Sequence, residues 1–198
     1  GYVFGGKNYS DNARVVPTSL KTVTVHGGVI DANAFYGCSS VEKITVDEEV
    51  LNVKEGAFVG CTGLSEISLP YGGVFGLLFG GDKYSNNKSY VPTSLKNVEL
   101  KKITELSDNA FYECINVKTV VLPESLTSIG TAAFYGCSAL EKANVGANVS
   151  KIGANAFARC SSMKKIEVDR NNATYVGDDG VLYAYGKDST GKNVARLM

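Results

Sequence analysis

The sequence predicts a strand-dominated α/β repeat, a solenoid of about seven turns with one parallel sheet and short helical turns. Three observations predict it. The word A-F-x-x-C occurs five times, beginning at Ala34, Ala57, Ala110, Ala133 and Ala156, with its phenylalanines 23 residues apart except for one interval of 53. Each word is followed by an apolar triplet whose last two members stand two residues apart, the spacing of a strand with one buried face. A second period, of 75 residues, lies over the first. Fixed periods of a few tens of residues mark solenoids, in which a turn buries its apolar face only against stacked neighbours. The 198 residues therefore read as a single domain.

Seven apolar triplets give seven strands, one per turn. In chain order they are Leu20/Val23/Val25, Val41/Ile44/Val46, Leu64/Ile67/Leu69, Leu95/Val98/Leu100, Val117/Val120/Leu122, Leu140/Ala143/Val145 and Met163/Ile166/Val168. Upstream of the last four words an apolar pair marks the opposite wall of the coil: Val50/Val53, Ile103/Leu106, Leu126/Ile129 and Val149/Ile152. The phenylalanine of each word fills the space between the walls. Asn33, Gly56, Gly130 and Gly153 suit the bends. The word itself is too short to sustain a helix, so one helical or 3₁₀ turn is the most it supports.

The longer period repeats Phe4-Gly5-Gly6 as Phe79-Gly80-Gly81, and Val16-Pro17-Thr18-Ser19-Leu20-Lys21 as Val91-Pro92-Thr93-Ser94-Leu95-Lys96. The duplicated unit is thus about three turns. The stretch 71–90, which lacks the word, reads as a longer irregular turn inside the solenoid. Insertions of this kind map to loops on one face, which makes Phe75, Phe79, Tyr84 and Tyr90 candidates for an exposed contact loop.

Composition limits the function classes. Twenty basic and twenty acidic residues cancel, and no like-charge block exceeds Asp47-Glu48-Glu49. A nucleic-acid partner, which calls for a basic stripe, is not expected. No run approaches the roughly 18 apolar residues that span a bilayer. The amino terminus shows no charged and apolar leader, and Gly1 reads as a processing boundary. All five cysteines occupy one position of the word, the core register. Parallel Cβ vectors on turns about 4.8 Å apart stay outside the ~3.5–4.5 Å that a bridge needs, so the thiols are expected to be buried and free.

The segment from Leu126 to Leu140, L-T-S-I-G-T-A-A-F-Y-G-C-S-A-L, resembles the unit of the BspA-like leucine-rich repeat proteins almost letter for letter. The V-P-T-S-L-K blocks and Asp179-Gly180-Val181-Leu182-Tyr183 are similar to recurrent elements of the same family, and the resemblance runs from about Val16 to Tyr183. It implies a curved solenoid displayed at the surface of bacteria or certain protists, within longer multidomain proteins, some of them implicated in adhesion. It carries no family-wide catalytic or ligand residues. The stop soon after Tyr183 reads as a fragment or a capping end.

Candidate chemistry is sparse. Gly1 to Asn8 and Gly186 to Asn193 approximate a phosphate-binding G-x-x-x-x-G-K-[ST] string, but each ends in Asn where the magnesium-binding hydroxyl belongs. His26 is the only histidine and has no obvious partner for a dyad or metal site. Asp169-Arg170-Asn171-Asn172 with Asp178-Asp179 fails the calcium-loop spacing. Sequons stand at Asn8, Asn87, Asn148 and Asn172. No catalytic residue, metal or cofactor is expected.

The best candidate surface is the solvent face of the strands. Alternation turns out Thr22, Thr24 and His26, then Lys43, Thr45 and Asp47, then Glu66 and Ser68. Farther along come Asn97, Glu99 and Lys101, then Thr119 and Val121, Lys142 and Asn144, and Lys165, Glu167 and Asp169. Tyr36, Tyr112 and Tyr135, each directly after A-F, read equally as a second, aromatic surface or as half-buried packing. Together with the resemblance these features predict a non-catalytic surface module that binds a protein or glycan on host or neighbouring cells. The alternative is a spacer that presents other domains, and an enzyme is disfavoured.

Overall fold

The computed structural model describes residues 7–178, 181–187 and 193–197. Phe4 to Gly6 of the longer repeat, and Asp179 and Gly180, lie outside the described residues. The strands are β1 (Thr22–Val25), β2 (Gly28–Ile30), β3 (Lys43–Val46), β4 (Val50–Val53), β5 (Glu66–Leu69), β6 (Asn97–Leu100), β7 (Glu105–Leu106), β8 (Thr119–Val121), β9 (Ser128–Ile129), β10 (Lys142–Val145), β11 (Lys151–Ile152), β12 (Lys165–Val168), β13 (Tyr175–Asp178), β14 (Val181–Lys187) and β15 (Asn193–Leu197). Two short helices, α1 (Asn12–Val15) and α2 (Asn87–Tyr90), each follow a 3₁₀ turn.

One strand from each turn joins a seven-stranded parallel sheet in the order β1-β3-β5-β6-β8-β10-β12. The register places Thr22 beside Lys43, Lys43 beside Glu66, Glu66 beside Asn97, and so on to Lys165. Every predicted strand is present. The opposite wall forms two smaller parallel ladders, β2-β4 and β7-β9-β11, separated where the longer turn enters. There Gly72 takes the place of a ladder residue, its carbonyl accepting the Ser107 N–H at 2.8 Å.

The words close the coil without becoming helical. Ala34, Tyr36 and Cys38 donate their N–H groups three residues back, while Phe35 and Gly37 donate to Ala57 and Val59 of the next turn at 2.9 and 2.7 Å. Successive N–H groups inside an α-helix all reach the carbonyl four residues back, so this alternation excludes one. It also forces two positive-φ residues per word. The residue before the Ala is Asn33, Gly56, Asn109, Ala132 or Asn155, and the second after the Phe is Gly37, Gly60, Glu113, Gly136 or Arg159.

Between the walls runs a column of phenylalanines. Ring centroids lie 5.5 Å apart from Phe35 to Phe58 and 5.3 Å apart at both Phe111–Phe134 and Phe134–Phe157. The longer turn continues this column. Its 3₁₀ segment Phe75–Phe79 places Phe79 on Phe58 at 6.0 Å and Phe75 on Phe111 at 4.6 Å. Phe75 and Phe79, expected in an exposed loop, are therefore core residues, 0% and 3% exposed. The duplication is visible as well: Tyr9–Asp11 and α1 recur as Tyr84–Asn86 and α2, and Asn12 and Asn87 each donate a side-chain N–H to the carbonyl of the nearby word's Ala, at 3.3 and 3.4 Å.

All five cysteines are buried and free. Three of the thiols donate across turns, from Cys61 to the Phe35 carbonyl (3.2 Å), Cys137 to Phe111 (2.9 Å) and Cys160 to Phe134 (3.1 Å). Burial pushes the Cys61 thiol up to about 12 and the Cys160 thiol to about 11, which keeps them protonated and inert.

At the far end the antiparallel sheet β13-β14-β15 stands beside β12 and was not foreseen. Asn172 makes the junction. Its amide donates to the carbonyls of Gly146 and Val149, and its oxygen accepts the N–H groups of Thr174 and Tyr175, all between 2.7 and 2.9 Å. Tyr175, 5% exposed, accepts the Ile152 N–H on its hydroxyl.

Candidate interaction surfaces

The sheet alternation places the predicted contact residues on one face. Thr22, Thr24, Lys43, Asn97, Glu99, Thr119, Lys142, Asn144 and Lys165 are exposed, Thr45, Glu66 and Glu167 are half-buried, and Ser68 is buried. The face binds itself together. Lys43 pairs with Glu66 at 2.9 Å, Lys142 and Lys165 both grip Glu167, and the Ser68 hydroxyl donates to Glu99 at 2.6 Å. The Lys142 and Lys165 ammoniums hold the Glu167 carboxyl down to about 2. A shallow depression of about 180 Å³ lies around Thr45, Ser68, Glu99 and Val121. An open cleft of about 800 Å³ lies where Asn144, Lys165 and Asp169 meet Gly177 of β13.

The aromatic candidates lie at the word corner, on the outside of the coil. Tyr112 and Tyr135 stack at 5.0 Å with 9° between their planes; Tyr84 meets Tyr112 edge-on at 5.0 Å, and Arg159 lies 5.4 Å over Tyr135. Lys88 and Glu113 pair at 3.0 Å beside them. Tyr84 is 43% exposed, while Tyr112 and Tyr135 are half-buried. Desolvation, then the negative charge of Glu113, raises the Tyr112 hydroxyl, which stays a donor. Tyr36 pairs separately with Tyr9 at 5.3 Å, and Tyr90 is 44% exposed. Sequence reasoning missed Lys88, Glu113 and Arg159. The signal was present, because Glu113 and Arg159 replace a glycine found in three of the five words.

The remaining candidates resolve into local structure. His26 Nδ1 lies 2.7 Å from Asp47, whose other oxygen accepts the N–H groups of Gly27 and Glu49, so the pair fastens a corner. Asp169 accepts the Asn171 N–H in a tight turn at 2.8 Å, and among the described residues no group of three His, Cys, Asp or Glu side chains could hold a metal. Gly186 is a paired residue of β14, and residues 188–192 of its string lie outside the described residues. Most of the other string, before Lys7, lies outside the described residues. Of the sequons, Asn87 and Asn172 are buried and fully engaged, whereas Asn8 and Asn148 are exposed. No helix among the described residues is long and apolar enough to cross a membrane.

A family model for the BspA-type leucine-rich repeat region matches residues 18–74 and 83–181 in six copies. The chain belongs to the BspA-type leucine-rich repeat family. Among solved structures this BspA-type chain is similar to a leucine-rich cell surface protein from Faecalibacterium prausnitzii, with 26% identity and a TM-score of 0.54 over 88% of this chain and 44% of that one. It also overlaps a leucine-rich repeat protein from Bacteroides ovatus, with 25% identity and a TM-score of 0.40 over 74% and 33% of the two chains. One from Eubacterium ventriosum shares 16% identity, with a TM-score of 0.47 over 82% and 43%. This BspA-type chain thus spans less than half the length of each of these three proteins. No curated protein sequence matches it.

Proposed function

We propose that this BspA-type solenoid is a non-catalytic interaction module displayed at a cell surface, where it adheres to a protein or glycan of a host or neighbouring cell. The observation that carries this reading is the seven-stranded sheet, whose register exposes a broad polar face unbroken by helix or insertion. Surface location is supported by the likeness to the Faecalibacterium cell surface protein. The buried core is apolar for the most part, and among the described residues no nucleophile, base and orienter come together. The test is direct binding of the intact chain to a panel of extracellular-matrix proteins, mucins and glycans. Saturable binding to at least one is expected, and none across the panel retires the reading.

A spacer role is the second reading, favoured by the rung-to-rung pairs Lys43–Glu66 and Lys142–Glu167 and by the continuous phenylalanine column, which stiffen the rod. Under that reading the panel stays silent, while shortening the solenoid by whole turns impairs the function of the domains attached to it.

A further inference from the structure

We propose that the column formed by Tyr84, Tyr112, Tyr135 and Arg159 is a docking surface for an extended acidic segment of a protein partner. The inference rests on the interaction-module reading and adds to the broad sheet face a stronger docking surface at the word corner. Tyrosine and arginine are the side chains most enriched where protein interfaces concentrate their binding energy. The sheet face offers none of them, and its pairs Lys43–Glu66 and Lys142–Glu167 would have to be parted before a partner could use those charges.

Backbone conformation supplies an independent argument. The second residue after the Phe of each word must adopt positive φ, and Gly37, Gly60 and Gly136 meet that demand at 68°, 77° and 70°. Glu113 and Arg159 hold the same conformation at 50° and 59° although they carry side chains. Left-handed backbone disfavours residues with a Cβ, so these two words carry a side chain where the other three avoid one. Both exceptions border the tyrosine stack. Glu113 is tied to Lys88, while Arg159 meets the Tyr135 ring and no carboxylate among the described residues. The column therefore ends in an arginine open to an acidic group.

The same geometry selects the class of partner. Flat stacking of sugars requires open ring faces, but Tyr112 and Tyr135 cover each other and Arg159 covers the outer face of Tyr135. What the stacked pair Tyr112 and Tyr135 leaves open is its ring rims, suited to apolar side chains, with hydroxyls suited to main-chain carbonyls. A strand rises about 3.3 Å per residue, so about five extended residues run from Tyr84 to Arg159 and bring a carboxylate to the guanidinium.

The test uses the intact chain and an array of labelled ten-residue peptides with Glu at every second position and varied apolar residues between, read by fluorescence anisotropy. Matched lysine peptides and a neutral linear β-glucan oligosaccharide form the other arms. The diagnostic variant is Arg159→Gly, which restores the residue found in sister words and should fold at least as well as the parent. Expected are saturable binding of acidic members, a loss of at least tenfold in Arg159→Gly with the thermal midpoint unchanged or raised, and no binding in the lysine and sugar arms. The inference is overturned if no acidic peptide binds, if Arg159→Gly binds within twofold of the parent, or if lysine peptides or the sugar bind as tightly. Any protein of the matrix panel that binds the parent is then compared with Arg159→Gly. Equal binding removes the column and leaves the module reading intact, whereas a panel without binding strikes the module reading itself.

Discussion

At the scale of single residues, burial and charge separate the side chains that hold the fold from those that clothe it. Phe134 is 1% exposed between two ring neighbours, and its replacement by Ala should cost about 3–5 kcal/mol in chemical denaturation. Phe75→Ala should cost as much, because Phe75 is a rung of the same column. Lys142→Ala, on the solvent face, should lie within about 0.5 kcal/mol of neutral, and equal losses at Phe134 and Lys142 would contradict the register. Glu167 answers to pH. Its folded carboxyl lies at about 2, below the ordinary 4.5, so its contribution is complete above 4.5 and fades as pH falls through about 2. Carboxyl NMR titration should place the Glu167 midpoint near 2 and show it rising toward 4.5 in a Lys142→Ala, Lys165→Ala double variant. The strand residues and the cysteine ladder were legible because period and alternation are properties of sequence. Arg159 was legible only as a departure from the glycine of Gly37, Gly60 and Gly136; that this position holds positive φ, and that the side chain lies over the Tyr135 ring, are properties of the folded coil.

At the scale of elements, the bends explain which glycines matter. Gly130 has ordinary φ, but a Cβ there would lie 2.4 Å from the Asp108 nitrogen on the preceding turn. Gly130→Ala should therefore destabilise by about 1–3 kcal/mol. Gly146 has nothing within 4 Å of its added Cβ and no positive φ, so Gly146→Ala should be neutral or stabilise by up to about 1 kcal/mol; thermal melts of the two variants check the contrast. The longer turn departs from its sequence reading at this scale. Its Gly-rich composition has the signature of a loop, whereas packing turns Phe75, Leu78 and Phe79 inward because the column would otherwise hold a void between Phe58 and Phe111. The antiparallel sheet β13-β14-β15 carried a weak sequence signal, Asp179-Gly180 between apolar runs. The signal is ambiguous because Asp179-Gly180-Val181-Leu182-Tyr183 is equally similar to a recurrent element of the repeat family.

At the scale of the molecule, each turn touches only its neighbours, so opening should proceed from an end. The cysteines report this. Cys38 lies in the first word, beside the half-buried Phe35, whereas Cys137 lies deep in the stack. With an excess of thiol reagent under native conditions, Cys38 should be modified well before Cys137, and identical rates would show that the coil opens as one unit. The phenylalanine column gives this end-to-end behaviour an uneven texture. Most rungs follow chain order, but Phe79 precedes Phe75 in the stack, so the polypeptide doubles back at the longer turn. A coil pulled from its ends can pay out one turn at a time only as far as that reversal, where two rings must leave together. The segment that interrupts the repeat acts as a knot in a rope, dividing an otherwise uniform thread into two lengths.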